Sequence, residues 1–338
     1  MFENRWRTVA IPARNEEERI ENCLRSLIAP DAIRPHRIVV LVNNSTDKTR
    51  ARIEALKPFF PCEILVEERH YDAAHSHAGQ ARHDAVSLAM TLSPAEGLIF
   101  STDADSRVGP GWIRNTIRAF GNFQVGAVFG RALLDPNEAD DIPAHLQADD
   151  DAELAYGALL ERIGTILSPD AHDPWPRHSE RSGASIAVTC EALAMTGGIP
   201  LIPTGEDRAF YAALRSVGVP VRHAPDVWVW VSARVVGRAA GGMAETIARR
   251  LIRQDEFLDD AFEPALDRFR RLRSRIAGNA RLIRRSELPR HHRAAVRLLA
   301  RLEAWERRSL ELVTIDRSGI EDGALVFPPP IQPVDMFG

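Results

Sequence analysis

The first residues able to do chemistry are Asp103 and Asp105, one residue apart in LIFSTDADSRV, Leu98–Val108. Leu98 to Ser101 read as a short buried strand, and residues i and i+2 of an extended segment point the same way. Two carboxylates held side by side repel each other unless a cation lies between them. Hard oxygen ligands suit Mg²⁺ or Mn²⁺, and an ion held by one or two carboxylates keeps coordination positions for phosphate oxygens. A solvated acidic loop is the competing reading, and the motif alone does not separate the two. A second acidic pair, Glu206-Asp207, follows Thr204-Gly205 and opens a helix running on through Phe210, Tyr211 and Leu214. Thr204 is placed to cap that helix, and helix-end electrostatics alone would explain carboxylates in its first turn. Arg234 and Arg238 lie in SARVVGRAAGGMAET, a glycine-rich segment without apolar periodicity. Guanidinium forks match phosphate oxygens, so the segment reads as a diphosphate clamp or as a solvated linker.

Strands and helices must bring these groups together. Thr8–Ile11 is a short apolar run closed by Pro12, as expected of a buried strand. Asn15 is expected to cap a helix with Glu16, Glu17 and Glu18 in its first turn and an apolar stripe of Ile20, Leu24, Leu27 and Ile28. Arg37–Val42 is the next strand, and its polar turn Asn43–Asp47 opens a helix carrying Ile53 and Leu56. Glu63–Val66 is a third strand, Gly79–Met90 a helix, and Gly97–Thr102 the strand that ends at the acidic pair. Such alternation implies right-handed crossovers and a mostly parallel sheet covered on both faces, with ligands beyond the carboxyl ends of the strands. Pro12–Glu16, Asn43–Asp47 and Asp103–Asp105 all fall at those ends. Neither GxGxxG nor GxxxxGK[ST] is present, which removes the two commonest nucleotide loops.

Further along, a helix from Trp112 and a strand over Gly126–Leu134 are expected, then two short strands within Val219–Val231. Residues 135–181 change character: acidic and proline-broken at the ends, with a helix over Ala152–Leu167. They read as an insertion covering the crevice, its charges mostly a solvated face. The expected organisation is a first domain over 1–240 and a helical C-terminal extension over 241–338. That extension is arginine-rich, helical from Glu245 to about Leu312, and ends in the proline-rich FPPPIQPVDMFG. Its Leu and Ile recur at helical spacing, which favours packing against the catalytic domain or in a homodimer over a role at a membrane surface.

The chain has 338 residues, 45% hydrophobic and 27% charged, enough for a full core. A formal charge of −4 argues against a nucleic-acid partner. Cys23, Cys62 and Cys190 are odd in number and show no CxxC spacing, so neither a disulfide framework nor a zinc site is expected. No apolar run is long enough to span a bilayer. A cytoplasmic protein, with peripheral contact to the inner face of the membrane still compatible, is the expectation.

From Arg7 to Val231 the chain resembles the GT-A-fold glycosyltransferases, family 2 in particular. VAIPARNEE looks like the family's first strand and acidic turn, VNNSTDKT like its second-strand motif, GQARHDAV like the segment lining the nucleotide pocket, and STDADSRVGPGWI like the DxD motif and following helix. SGASIAVTCEALAMTGGIP and TGEDRAFYAAL resemble the segment leading to the acceptor site and the ED motif opening the catalytic helix. The order and spacing of all six carry the resemblance. It implies a non-processive bacterial transferase that moves a sugar from a nucleoside-diphosphate sugar to an acceptor hydroxyl on a glycan, lipid or small molecule. It also implies an α/β GT-A fold, a Rossmann-like mostly parallel sheet with helices on both faces. Pro12, Ala13, Arg14, Glu16, Asn43 and Arg82 would hold the nucleoside and diphosphate. Asp105 would hold the divalent cation (Mn²⁺ or Mg²⁺), with Asp103 supporting it or contacting the ribose. Asp207, with Glu206 as second choice, would take the acceptor's proton in an in-line, inverting attack.

Val42 departs from the family, which often has an acidic residue there, and the QxxRW motif of the processive members is missing, so polymer synthesis is not expected. The rival from another class is a phosphohydrolase of the haloacid-dehalogenase type. Its nucleophilic Asp normally lies near the N-terminus and is followed by Thr or Val, whereas this pair lies deep in the chain before Ser106-Arg107. A sugar nucleotidyltransferase would want a basic, glycine-rich first loop. A non-catalytic nucleotide-sugar-binding module would have no need of both acidic pairs.

Overall fold

The structure, a computed structural model, describes residues 2–29, 33–138, 142–234, 256–258, 262–274 and 281–317. Its strands are β1 (Arg7–Ala13), β2 (Arg37–Asn43), β3 (Glu63–Arg69), β4 (Leu98–Ser101), β5 (Arg107–Val108), β6 (Ala127–Leu134), β7 (Ile186–Thr189) and β8 (Val221–Val231). The helices are α1 (Ile20–Ser26), α2 (Thr49–Leu56), α3 (Ala78–Thr91), α4 (Trp112–Phe123), α5 (Ala144–Leu167), α6 (Cys190–Thr196), α7 (Glu206–Ser216), α8 (Ala265–Ser274) and α9 (Leu288–Arg317). One sheet runs β3-β2-β1-β4-β7-β6-β8-β5. The pairs β1·β2, β1·β4, β2·β3 and β6·β8 are parallel, whereas β4·β7, β6·β7 and β5·β8 are antiparallel.

The period of two along each strand divides the core between the faces of the sheet. Val9, Ile11, Ile38, Val40 and Phe100 pack with Leu24, Ile53, Trp112 and Phe120 on one face. Ala10, Val39, Leu41 and Ile99 pack with Ala85, Val86, Leu193 and Phe210 on the other. The first face carries α1, α2 and α4, and the second carries α3, α6 and α7. Both faces of the central strands are buried, so their carboxyl ends are the natural outlet for polar groups.

By chain contacts the molecule divides into two compact units, residues 1–147 with 171–254, and 148–170 with 255–338. The second unit gathers most of α5 with α8 and α9 around Tyr156, Leu160, Ile163, Phe269, Leu298 and Leu302. Several of its arginines pair within the unit: Arg268 pairs with Glu161 at 3.0 Å and Glu263 at 2.9 Å, Arg162 with Glu306 at 2.7 Å, and Arg285 with Glu153. The solvated face expected for the acidic helix is therefore corrected in part, since Glu153 and Glu161 are buried against arginines of the C-terminal region. Helix is not continuous from Glu245 to Leu312 either. Phe257 and Arg284 form an isolated antiparallel bridge between short segments. The proline-rich tail lies outside the described residues. No described helix is long and apolar enough to cross a membrane.

Other local expectations fail for physical reasons. Asn15 does not cap α1: it sits at φ 53°, and the helix begins only at Ile20, with Arg19 in the N-cap position and no side-chain cap. Thr204 does not cap α7, because Gly205, at φ 74°, takes the N-cap position. That left-handed conformation suits a glycine. Val219–Val231 contains one strand, β8, with a register shift opposite Phe129/Arg131 instead of a break. The shift absorbs Pro225, which has no N–H to give to the ladder.

Candidate active site

The turns after β1 and β2 are built from each other. The Asn15 N–H donates to Ser45 Oγ (2.9 Å), its Oδ1 accepts from the Thr46 N–H (2.8 Å), and the Glu16 N–H donates to Thr49 Oγ1 (2.7 Å). The Glu17 N–H closes the seam on Asp47 Oδ2 at 3.0 Å. Asn15 thus uses the side chain assigned to a helix cap to stitch two strand ends together. Ala13, Glu16 and Asn43 are buried here and Pro12 half-buried. Arg14 reaches Ser76 Oγ at 3.2 Å.

β4 delivers the acidic pair in a turn rather than an extended segment, so the simple i, i+2 argument does not hold. The Ser106 N–H donates to Asp103 O at 3.1 Å and closes the turn. The two carboxylates then face different arginines. Arg82, on α3 and only 6% exposed, donates from Nη2 to Asp103 Oδ1 (2.7 Å) and from Nε to Glu206 Oε1 (2.9 Å). Its Nη1 donates to Ser101 Oγ (3.0 Å) and to the Gly183 carbonyl (2.8 Å). Burial works against the Arg82 charge, but the Asp103 and Glu206 carboxylates overcome it and raise its pKa. Arg234 donates from Nη1 to both oxygens of Glu16 (3.0 and 3.1 Å) and pairs through Nη2 with Asp105 Oδ2 at 2.8 Å.

Asp105 is half-buried, and desolvation together with the field of Asp103 pushes its pKa up to about 6 despite Arg234. Burial and the same carboxylates drive the Cys23 thiol far above its usual range, leaving it a donor to Asp103 O at 3.3 Å. Thr102 Oγ1 and Ser106 Oγ, on either side of the pair, are buried without a hydrogen-bond partner. A crowded anionic turn with unspent polar atoms suits a hard cation. Among the described residues no group of three or more His, Cys, Asp and Glu stands together as a metal site. Two carboxylates therefore leave most of an ion's coordination shell to phosphate and water.

At the other end of Arg82, Glu206 and Asp207 occupy the first turn of α7. Asp207 Oδ2 accepts the Gly183 N–H at 2.9 Å and Oδ1 accepts the Arg208 N–H at 2.7 Å. Burial, then the Glu206 charge, raises its pKa, while Arg82 and the backbone donors pull the other way. Gly183 thus touches both sides of the site, with its carbonyl on Arg82 and its N–H on Asp207. A Cβ here would lie 2.6 Å from the Arg82 guanidinium, so only glycine lets the backbone come this close. The sequence resemblance marks this stretch as leading to the acceptor site, but not which group its backbone approaches.

One cluster had no sequence signal. Buried Asp173 accepts from Arg222 Nη1 (3.0 Å), from the His223 N–H (2.9 Å) and from His223 Nδ1 (2.8 Å). Its partners lie about fifty positions away, beyond any motif. Arg238, the second arginine assigned to a diphosphate clamp, lies outside the described residues.

The sheet is mostly parallel and covered by helices, with an acidic turn beyond β4. Residues 8–174 match the model of the family described as "Glycosyl transferase family 2". No curated protein matches the chain. Among solved structures, TarS 1-349 of S. aureus is 14% identical at a TM-score of 0.47, over 67% of this chain and 60% of that one. The chain thus spans less than two thirds of that protein's length. A Pyrobaculum calidifontis mannosyltransferase, PcManGT, in complex with GDP-Man and Mn²⁺, is 19% identical at 0.46, covering 91% and 80%. Glucosyl-3-phosphoglycerate synthase of Mycobacterium tuberculosis is 18% identical at 0.42, covering 74% and 78%. At these TM-scores the likenesses carry nothing for function.

Proposed function

We propose that the protein transfers a sugar from a nucleoside-diphosphate sugar to an acceptor hydroxyl, with inversion at the anomeric carbon. The observation that supports this most is Arg82. One buried guanidinium ties Asp103, on the donor side, to Glu206, beside the candidate base. Donor and acceptor chemistry are thereby held in one rigid frame, which a displacement reaction requires. Asp207 takes the proton of the attacking hydroxyl; burial raises its pKa toward the working range of a general base. The hydroxyl oxygen bonds to the anomeric carbon as the bond to the diphosphate breaks.

Asp105 and Asp103 are the residues that would hold a divalent cation, which when bound neutralises the diphosphate as it leaves. Glu16, Asn43 and the interlocked turns after β1 and β2 form the floor for the nucleoside. Arg82 acts as a positioning residue, since its donors are already committed to protein partners. Arg234 is free to exchange its carboxylates for phosphate oxygens.

A panel of UDP-, GDP-, TDP- and CDP-sugars tests the reading with Mn²⁺ or Mg²⁺ present, scored by thermal stabilisation and by slow donor hydrolysis. Asp105→Ala should abolish metal-dependent donor binding. Asp207→Asn should keep donor binding and lower turnover by about 10²–10⁴-fold, the usual weight of a general base. An Asp207→Asn enzyme with full turnover would remove the base assignment, and a panel with no response would reduce the protein to a non-catalytic module.

A further inference from the structure

Arg181 differs from the other arginines around the site. Arg82, Arg107, Arg131, Arg222 and Arg234 all have carboxylate partners, Asp103 and Glu206, Asp135, Glu180, Asp173, and Glu16 with Asp105 respectively. Arg181 makes no hydrogen bond or ion pair to any described residue, and its Nε is buried without a partner. Its guanidinium lies over an aromatic ring, the guanidinium carbon 4.1 Å from the centre of Tyr211. Stacking of this kind fixes the plane of the fork while leaving its edges free.

Its place in the fold gives the free edge a use. Tyr211 lies four residues beyond Asp207 on α7, one helical turn away on the same face. Gly183, two residues beyond Arg181, donates its N–H to Asp207 at 2.9 Å. Arg181 is thus tied to the base by two routes, through the helix and through its own loop. The platform beneath it is firm, because Tyr211 packs against Phe129 at 5.9 Å and His223 at 5.3 Å between ring centres. His223 in turn is locked by Asp173.

A pre-oriented, unpaired guanidinium fits one kind of ligand well, an oxyanion that can accept two parallel N–H bonds. The surrounding charge makes the same point. An acceptor carrying a negative group would be repelled by Glu206 and Asp207 unless a cation received that group.

We infer that Arg181, stacked on Tyr211, anchors an acidic group of the acceptor, so that the hydroxyl presented to Asp207 belongs to a phosphorylated or carboxylated compound. This rests on the transferase reading and names its acceptor class. Arg181 is a specificity-determining residue on this account, and phosphate and carboxylate are two sources of the same recognition.

The test uses ligand-observed NMR on the full chain, with glycerol 3-phosphate, glycerate and glycerol as probes, in the presence and absence of a nucleoside diphosphate. Glycerol 3-phosphate or glycerate should bind, the preference between them naming the source, and glycerol should not. Arg181→Gln should weaken the preferred anion at least tenfold, and Arg181→Lys should recover part of the loss. Tyr211→Leu, which removes the platform and keeps the charge, should weaken it to a smaller degree. Melting curves of each variant establish that it is folded. Equal binding of glycerol, no anion binding, or an anion affinity unchanged in folded Arg181→Gln would overturn the inference. Donor binding is measured on the same samples. Arg181-dependent anion binding without donor binding would remove the transferase reading and the acceptor role with it, leaving an anion site. Donor binding without Arg181-dependent discrimination would remove this inference alone.

Discussion

The two arginines that meet the DAD turn answer the same problem differently. Arg82 comes from the middle of a long helix, its side chain is 7% exposed, and it donates to two carboxylates, a hydroxyl and a carbonyl. Arg234 comes from the chain just after β8, its side chain is 22% exposed, and among the described residues its guanidinium bonds to the carboxylates of Glu16 and Asp105. The Arg82 arrangement commits four of the five N–H donors of the fork to protein partners. At Arg234 the partners are groups that a cation could equally well satisfy. A buried, multiply coordinated charge holds a site in shape, whereas a half-exposed one can be exchanged when ligand arrives. The comparison assigns one arginine to architecture and the other to the reaction cycle.

The largest effect should come from Arg82→Met. It leaves Glu206 buried without a counter-charge, while Asp103, 34% exposed at its side chain, keeps water, and removing one partner of a buried pair costs about 3–5 kcal/mol. Urea unfolding would read this as a lowered midpoint, with donor turnover lost at the same time. A loss below about 1 kcal/mol, the level of a surface pair, would put Arg82 in the same class as Arg234 and break the comparison. Gly183→Ala approaches the same centre from the opposite side. The added Cβ meets the guanidinium at 2.6 Å and must move either Arg82 or the backbone that holds Asp207. Overpacking of this kind costs about 1–3 kcal/mol, and turnover should fall further than stability alone accounts for. An Ala variant with normal turnover would show that the close approach has no bearing on the base.

Arg234→Ala should behave in the opposite way. Its effect on unfolding should stay within about 1 kcal/mol, as for partly exposed ion pairs. Removing the guanidinium frees Asp105 and Glu16, so Mn²⁺ titrated without donor should bind more tightly, on the order of tenfold, equivalent to ~1.4 kcal/mol. Donor affinity should fall at the same time, since the arginine can no longer turn to the diphosphate. Tighter metal with unchanged donor affinity would leave Arg234 as a mere competitor for the ion and deny it a part in the cycle.

How far these roles could be read beforehand follows from the same physics. The strand-and-helix order, the two acidic pairs and the importance of GQARHDAV were legible, because period, spacing and residue type are local properties. Arg82's actual partners were not, for they come from β4, the Gly183 loop and α7, which the fold alone brings together. Asn15 and Thr204 misled for a related reason. Each has a side chain suited to capping, but Asn15 was drawn into pairing with the β2 turn and Gly205 took the capping position. Local propensity counted only where tertiary partners did not outbid it. Arg181 marks the limit, since being unpaired is a property of everything around a residue, and no spacing rule reports it.

A third region supplies the control, a charge arrangement governed by burial rather than by a ligand. His178 is buried beside His223, and its Nδ1 accepts the Glu180 N–H at 3.1 Å, a bond that survives only while that nitrogen is unprotonated. Burial, and then the nearby positive charges of His223 and Arg131, lower its pKa to about 3, against an ordinary value of 6.5. The folded value is the depressed one, so the unfolded chain takes up the proton first. The contribution to stability is whole above pH 6.5 and is lost as pH falls toward 3, at a limiting slope of about 1.4 kcal/mol per pH unit. His178→Asn should show a correspondingly flatter fall in unfolding free energy between pH 6 and 4, the difference from the parent isolating this group from the other histidines. The Arg234→Ala curve should depart from that of the parent near pH 6 and above, where loss of the guanidinium lets the Asp105 pKa rise further, and should keep the parent's fall at lower pH, because the His178 corner is untouched. If instead His178→Asn kept the full slope, burial would not be what holds that imidazole neutral, and the contrast between fixed and exchangeable charge would lose its third case.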